Sequence, residues 1–142
     1  MRSGRRLIVV APICALVLLT GCRDLGEDEV EIGYEPAAVE PIKGSELSRV
    51  ILTEDAAQRI RLETATATEQ GNRTAVPESA VWVDVDGESW VYTNPDGLVF
   101  VRAHVVVDHY RDGVAYLTRG IAPGTVVASV GVAELIGSEL GI

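Results

Sequence analysis

Cysteine is nearly missing from this chain: Cys14 and Cys22 are the only two in 142 residues. Two cysteines cannot make the disulfide framework of a small secreted scaffold or a four-thiolate zinc site. Histidine is as scarce, with His104 and His109 alone, and methionine occurs once, at Met1. A metal centre built from either type would therefore lack ligands. Basic residues are outnumbered, 12 against 21 acidic. That excludes the basic patches with which proteins bind nucleic acid, so no nucleic-acid partner is expected. No apolar run is long enough for a comfortable membrane span, which needs about 20 residues. The one uninterrupted apolar stretch is Leu7 to Leu19.

That stretch follows Arg2, Arg5 and Arg6 and ends in Leu19-Thr20-Gly21-Cys22. A charged start and a short apolar run are the layout of a secretory signal peptide. The closing "LTGC" resembles the bacterial lipobox, a branched apolar residue and two small residues before cysteine. The resemblance implies cleavage between Gly21 and Cys22. It also implies a covalent diacylglycerol on the Cys22 sulfur, with an N-acyl chain as an optional addition, and no other cofactor. Cys14 leaves with the peptide and Cys22 is alkylated, so no disulfide is expected in the mature chain. Two acyl chains hold a protein to a bilayer where one is marginal. The expected location is extracytoplasmic, lipid-anchored on the periplasmic side or the outer face of the cell membrane.

Removing residues 1–21 takes three arginines and no acid, leaving nine basic against 21 acidic residues. Such a charge disfavours resting flat on anionic lipid, so the membrane contact runs through the lipid anchor. Acid is densest just after Cys22, at Asp24, Glu27, Asp28, Glu29, Glu31 and Glu35. Residues 22–44 are therefore expected to be an acidic flexible linker, stiffened by Pro36 and Pro41. Residues 45–142 are then one small domain.

From residue 80 onward the sequence alternates and turns. Asp86-Gly87, Asp96-Gly97 and Asp112-Gly113 separate runs of β-branched and aromatic residues, and Asp-Gly supplies the positive φ of tight hairpins. Val81, Val83 and Val85 alternate with Trp82 and Asp84. In the longest run Val99, Val101, Ala103, Val105 and Val107 share one face. Phe100, Arg102, His104, Val106 and Asp108 share the other. Upstream, Val50 to Thr53 read as a strand and Thr53 as the cap of a short helix. Glu54 and Asp55 sit at that helix's positive end, and Ala56, Ala57 and Ile60 form its apolar face. Leu62 to Thr68 return to strand, Glu69 to Arg73 form a turn, and the closing "GVAELIGSELGI" predicts one helical turn and a tail. The fold class is all-β with one short helix, a small β-barrel or sandwich.

The order of these segments resembles the periplasmic adaptor, or membrane fusion, proteins of efflux pumps. "VILTEDAAQRIRLETATA" resembles their opening strand–helix–strand. "VPESAVWVDVDGESWVYT" and "VVVDHYRDGVAYLTRGIAPGTVVASVGVAEL" resemble their closing segment, with "GIAPGT" where the family commonly has Gly-Leu-Lys-Pro-Gly-Asp. In that family the two pieces lie at opposite ends of the chain and meet as a membrane-proximal domain resting on a transporter. Between them stand a β-barrel, a lipoyl-like domain and a helical hairpin. Here "TATATEQGNRTAVP" joins the pieces directly. The resemblance implies a membrane-proximal domain alone, on a lipid tether, with a transporter subunit as partner.

Catalytic patterns are lacking: Ser79, Ser89 and Ser129 sit in no nucleophile elbow, so the chain is not expected to be an enzyme. Asp108 and His109 are neighbours in a strand and should point to opposite faces. Trp82, Trp90, Asp84 and Asp86 are the candidate partner- or ligand-contact residues. The tryptophans read as cross-strand partners. The acids, with Glu88, read as hairpin chemistry or a weak Ca²⁺ contact. Two functions follow as expectations: a noncatalytic lipoprotein docking to a transporter or another envelope partner, or an extracytoplasmic ligand- or ion-binding sensor.

Overall fold

The computed structural model describes residues 35–142. The expected signal segment, Gly21, Cys22 and the linker as far as residue 34 lie outside the described residues. The chain runs through β1 (Ala37–Pro41), β2 (Ser48–Leu52), α1 (Glu54–Arg59), β3 (Glu63–Thr66), β4 (Thr68–Gln70) and β5 (Arg73–Pro77). After a 3-10 turn at Glu78–Ala80 come β6 (Trp82–Val83), β7 (Ser89–Asp96), β8 (Val99–Arg111), β9 (Val114–Arg119), β10 (Val126–Val130) and α2 (Val132–Leu140). The protein is mostly β, as its sequence predicts.

One part of the expected linker is folded. Residues 37–41 pair with β2 from Ala37 opposite Leu52 to Pro41 opposite Ser48, so the ordered β structure begins before Ser45. Main-chain hydrogen bonds hold this edge strand, and four of its five side chains are exposed. An edge strand that buries so little carries no alternation to read. Helix α1 forms as expected, with Thr53 Oγ1 accepting from the Ala56 amide at 3.1 Å and Ala56 buried.

Among the described residues all strand pairs are antiparallel, in the order β3–β10–β7–β8–β9–β5–β4, with β2 beside β8 and β6 beside β7. The end members β3 and β4 are consecutive pieces of chain separated by Ala67 alone. Ala67 is buried, donates to the Thr125 carbonyl and accepts from the Gly124 amide, both at 2.8 Å. One continuous segment thus brings the two ends of the curled sheet together.

The core lies on both faces of the central strands. Val91 and Tyr92 are consecutive in β7, and Val127 and Ala128 are consecutive in β10, yet each neighbour enters a different cluster. Val91, Val105 and Val127 join Val76, Leu117 and Ala67 on one face. Tyr92, Phe100 and Ala128 join Val50, Leu52 and Leu135 on the other, under α1 and α2. The expected apolar face of β8 is therefore half of the account. Ala103, Val105 and Val107 pack on the first cluster, and Phe100 on the opposite face is equally buried. Val83 and Val85 are exposed, because the hairpin tip that carries them projects beyond the core.

Turn chemistry decides the hairpins. Asp112 and Gly113 both have positive φ, 51° and 76°, as a type I′ turn requires between Arg111 and Val114. Asp96 still pairs with Val99, so the β7–β8 turn is Gly97-Leu98 rather than the expected Asp96-Gly97. Asn94 and Pro95 fall in a bulge, where proline is tolerated in a sheet, and Asn94 Nδ2 donates to the Gly97 and Val99 carbonyls at 2.9 Å. The expected single turn near the end is a nine-residue helix. Val132, Leu135 and Ile136 recur at helical spacing and find the sheet to pack on. Among the described residues no helix is long and apolar enough to cross a membrane.

Candidate functional site

The sequence-predicted residues Trp82, Trp90, Asp84 and Asp86 meet at the β6–β7 hairpin. Trp82 lies directly opposite Trp90 in the register, with ring centroids 6.4 Å apart and planes 26° apart. Trp82 also stacks on Tyr92 at 6.2 Å. Asp84 organises the turn with one carboxylate. Its Oδ1 accepts from the amides of Asp86 and Glu88 at 3.0 and 2.9 Å, and its Oδ2 accepts from Trp90 Nε1 at 2.8 Å. The Trp90 indole first, and then the Glu88 amide, hold the Asp84 carboxyl below its usual range. The expected acid patch is thus partly spent on its own hairpin. Asp86 contributes its amide to Asp84, and its side chain is exposed.

Three further residues complete the cluster. Arg102 and His104 stand opposite Tyr92 and Trp90 on β8. The Arg102 guanidinium lies 4.9 Å from the centre of the Trp90 ring, a cation–π contact, and its Nε is 3.2 Å from Glu139 Oε1. Glu139, on α2, also accepts from the Tyr92 hydroxyl at 2.7 Å. Burial first, and then the Glu139 carboxylate, push the Tyr92 phenol well above its ordinary value. His104 meets the edge of Trp90 and pairs with Glu88. Trp82 Nε1 is shielded from solvent and has no hydrogen-bond partner among the described residues. An unmade bond of that kind costs about 1–3 kcal/mol.

A concavity of about 560 Å³ opens beside this cluster. Trp82, Arg102 and Ile136 line it, with Val83 to Asp86 from the hairpin and Leu140 and Ile142 from the α2 end. A larger apolar groove of about 680 Å³ lies between the two helices and Pro36, and it carries few polar groups.

At the far end of β8, His109 Nδ1 lies 2.7 Å from Asp108 Oδ2, against the expectation for strand neighbours. The register slips between Val107 and His109, and this bulge turns the two side chains together. Arg73 Nε completes the group at 2.8 Å from Asp108. The His109 bond first, and then Arg73, hold the Asp108 carboxyl below its usual range. Among the described residues no three metal-ligating side chains converge.

Sequence reasoning missed Arg102 and Glu139 as a pair. They lie far apart in the chain and meet only once α2 lies on the sheet. Arginine amid a valine strand was the one available signal. No protein-family model matches the chain, and no curated protein matches it.

Proposed function

We propose that this protein is a noncatalytic, lipid-anchored docking module that resembles the membrane-proximal domain of efflux-pump adaptors and engages a membrane transporter from outside the cytoplasm. One observation carries the reading. Residues 48–66 and the β7–β10 segments, the two pieces with the family-like pattern, build one sheet, β2 pairing with β8 and β3 with β10. An aromatic and ionic cluster beside an open apolar concavity suits recognition rather than bond breaking. Mass spectrometry of the native protein should find Cys22 as the first residue with acyl mass added. Crosslinked-membrane pull-down should recover a transporter reproducibly. An intact Met1 without added mass would remove the anchor, and recovery of abundant lipoproteins alone would remove the partner.

The second reading, a solute or ion sensor, has the concavity and the exposed Asp86 in its favour. It has against it the commitment of Asp84 to three internal donors. Thermal-shift screening against divalent cations and small solutes should show no stabilisation if docking is the function.

A further inference from the structure

We propose that the concavity between the β6–β7 hairpin tip and the end of α2 is the docking surface, and that it receives a partner protein's segment carrying apolar side chains beside a lysine or arginine. The inference rests on the docking reading and names its face and chemistry. Among the described residues seven large hydrophobic side chains are exposed, and four of them, Val83, Val85, Leu140 and Ile142, line this concavity. Val85 is fully exposed and Ile142 is 90% exposed. Scattered apolar residues need no explanation, but a cluster rimmed by polar groups marks an interaction surface.

Charge selects the partner. Asp84 and Asp86 stand on the hairpin wall. The single basic residue in the lining, Arg102, is already neutralised by Glu139 and seated over Trp90. The rim is therefore net acidic, and a cation beside an apolar side chain complements it. An anionic lipid headgroup does not. The floor is firm: Trp82 is held between Trp90 and Tyr92, and Tyr92 is fixed to Glu139. A pre-formed surface loses little freedom on binding.

Both tryptophans of the chain stand at this site, so intrinsic fluorescence reports on it. The chain from Arg23 to Ile142, which has neither the signal segment nor the lipidated cysteine and keeps every described residue, is titrated with a short amphipathic leucine–lysine peptide, with its leucine–glutamate counterpart, and with vesicles of phosphatidylglycerol and phosphatidylcholine in equal parts. The leucine–lysine peptide should shift the emission and saturate; the other two should not. Val85→Ser should weaken binding about tenfold, the value of one buried valine. Asp86→Asn should weaken it roughly threefold, as for an exposed ion pair. Glu54→Gln removes the same charge on α1, away from the lining, and should change nothing. Both hairpin side chains are exposed, so these variants keep the fold, which circular dichroism checks.

Equal affinity for Val85→Ser and the parent chain would overturn the proposal, as would equal losses from Asp86→Asn and Glu54→Gln. Saturable binding of the vesicles alone would assign the face to lipid instead. Peptide saturation without transporter recovery would keep the surface and remove the transporter. The reverse result would place the transporter contact elsewhere.

Discussion

Asp84 shows how one half-buried carboxylate can set a whole hairpin. Three donors converge on it, so its charged form is favoured in the folded protein and its carboxyl titrates lower there than in the unfolded chain. For a depressed carboxyl, the stabilisation is present above the unfolded value and fades as pH falls through the folded one. Asp84→Asn should therefore lower the thermal midpoint at neutral pH and flatten its fall in the acid range, measured by thermal melts below pH 5. Tyr92 runs the other way. Its phenol stays protonated in the fold after the unfolded chain would release its proton, so stability should decline above pH ~10. Tyr92→Phe should remove that alkaline decline and cost about 1–2 kcal/mol near neutrality, read by urea unfolding, because Glu139 loses a buried donor. An unchanged alkaline limb would show that the hydroxyl ionises freely.

At the scale of the element, one turn and one cap were legible, the β7–β8 turn was displaced by a residue, and the edge strand was not legible. Asp112-Gly113 and Thr53 announce a type I′ turn and a helix start through local chemistry, which needs no tertiary partner. Strand β1 announces nothing, because its neighbours supply hydrogen bonds rather than a buried face. Helix α2 was half legible: its apolar spacing is present, but its length depends on the sheet beneath it. The Trp82–Trp90 pair could be read from the hairpin register, whereas the Arg102–Glu139 contact could not, since it crosses from β8 to α2. One glycine marks a close approach. Gly120 has φ of 126°, and a Cβ there would stand 2.5 Å from the His104 carbonyl oxygen. Gly124, at φ of 89°, has open space around the same position. Gly120→Ala should destabilise by well over about 1 kcal/mol and by clearly more than Gly124→Ala, since only the first adds a backbone clash to the positive-φ strain. Chemical denaturation of the two variants side by side checks this; equal losses would mean that β8 shifts freely at His104.

At the scale of the whole molecule, a single layer of strands serves two cores. Leu117 lies in one and Leu135 in the other, and both are almost wholly buried. Leu117→Ala and Leu135→Ala should each cost about 2–5 kcal/mol. Because β7, β8 and β10 belong to both clusters, each variant should still unfold in one transition, with fluorescence and circular dichroism coincident. Separate transitions would show that α2 and its cluster melt alone. The antiparallel β1–β2 hairpin adds a mechanical consequence. A pull transmitted through the residues ahead of Glu35 loads the ladder at its Ala37–Leu52 end, so its rungs open one after another instead of shearing together. Peeling as far as Ser48 would release roughly 3–4 nm of chain. The first response to tension is thus slack, a shock absorber between any upstream anchor and the two cores.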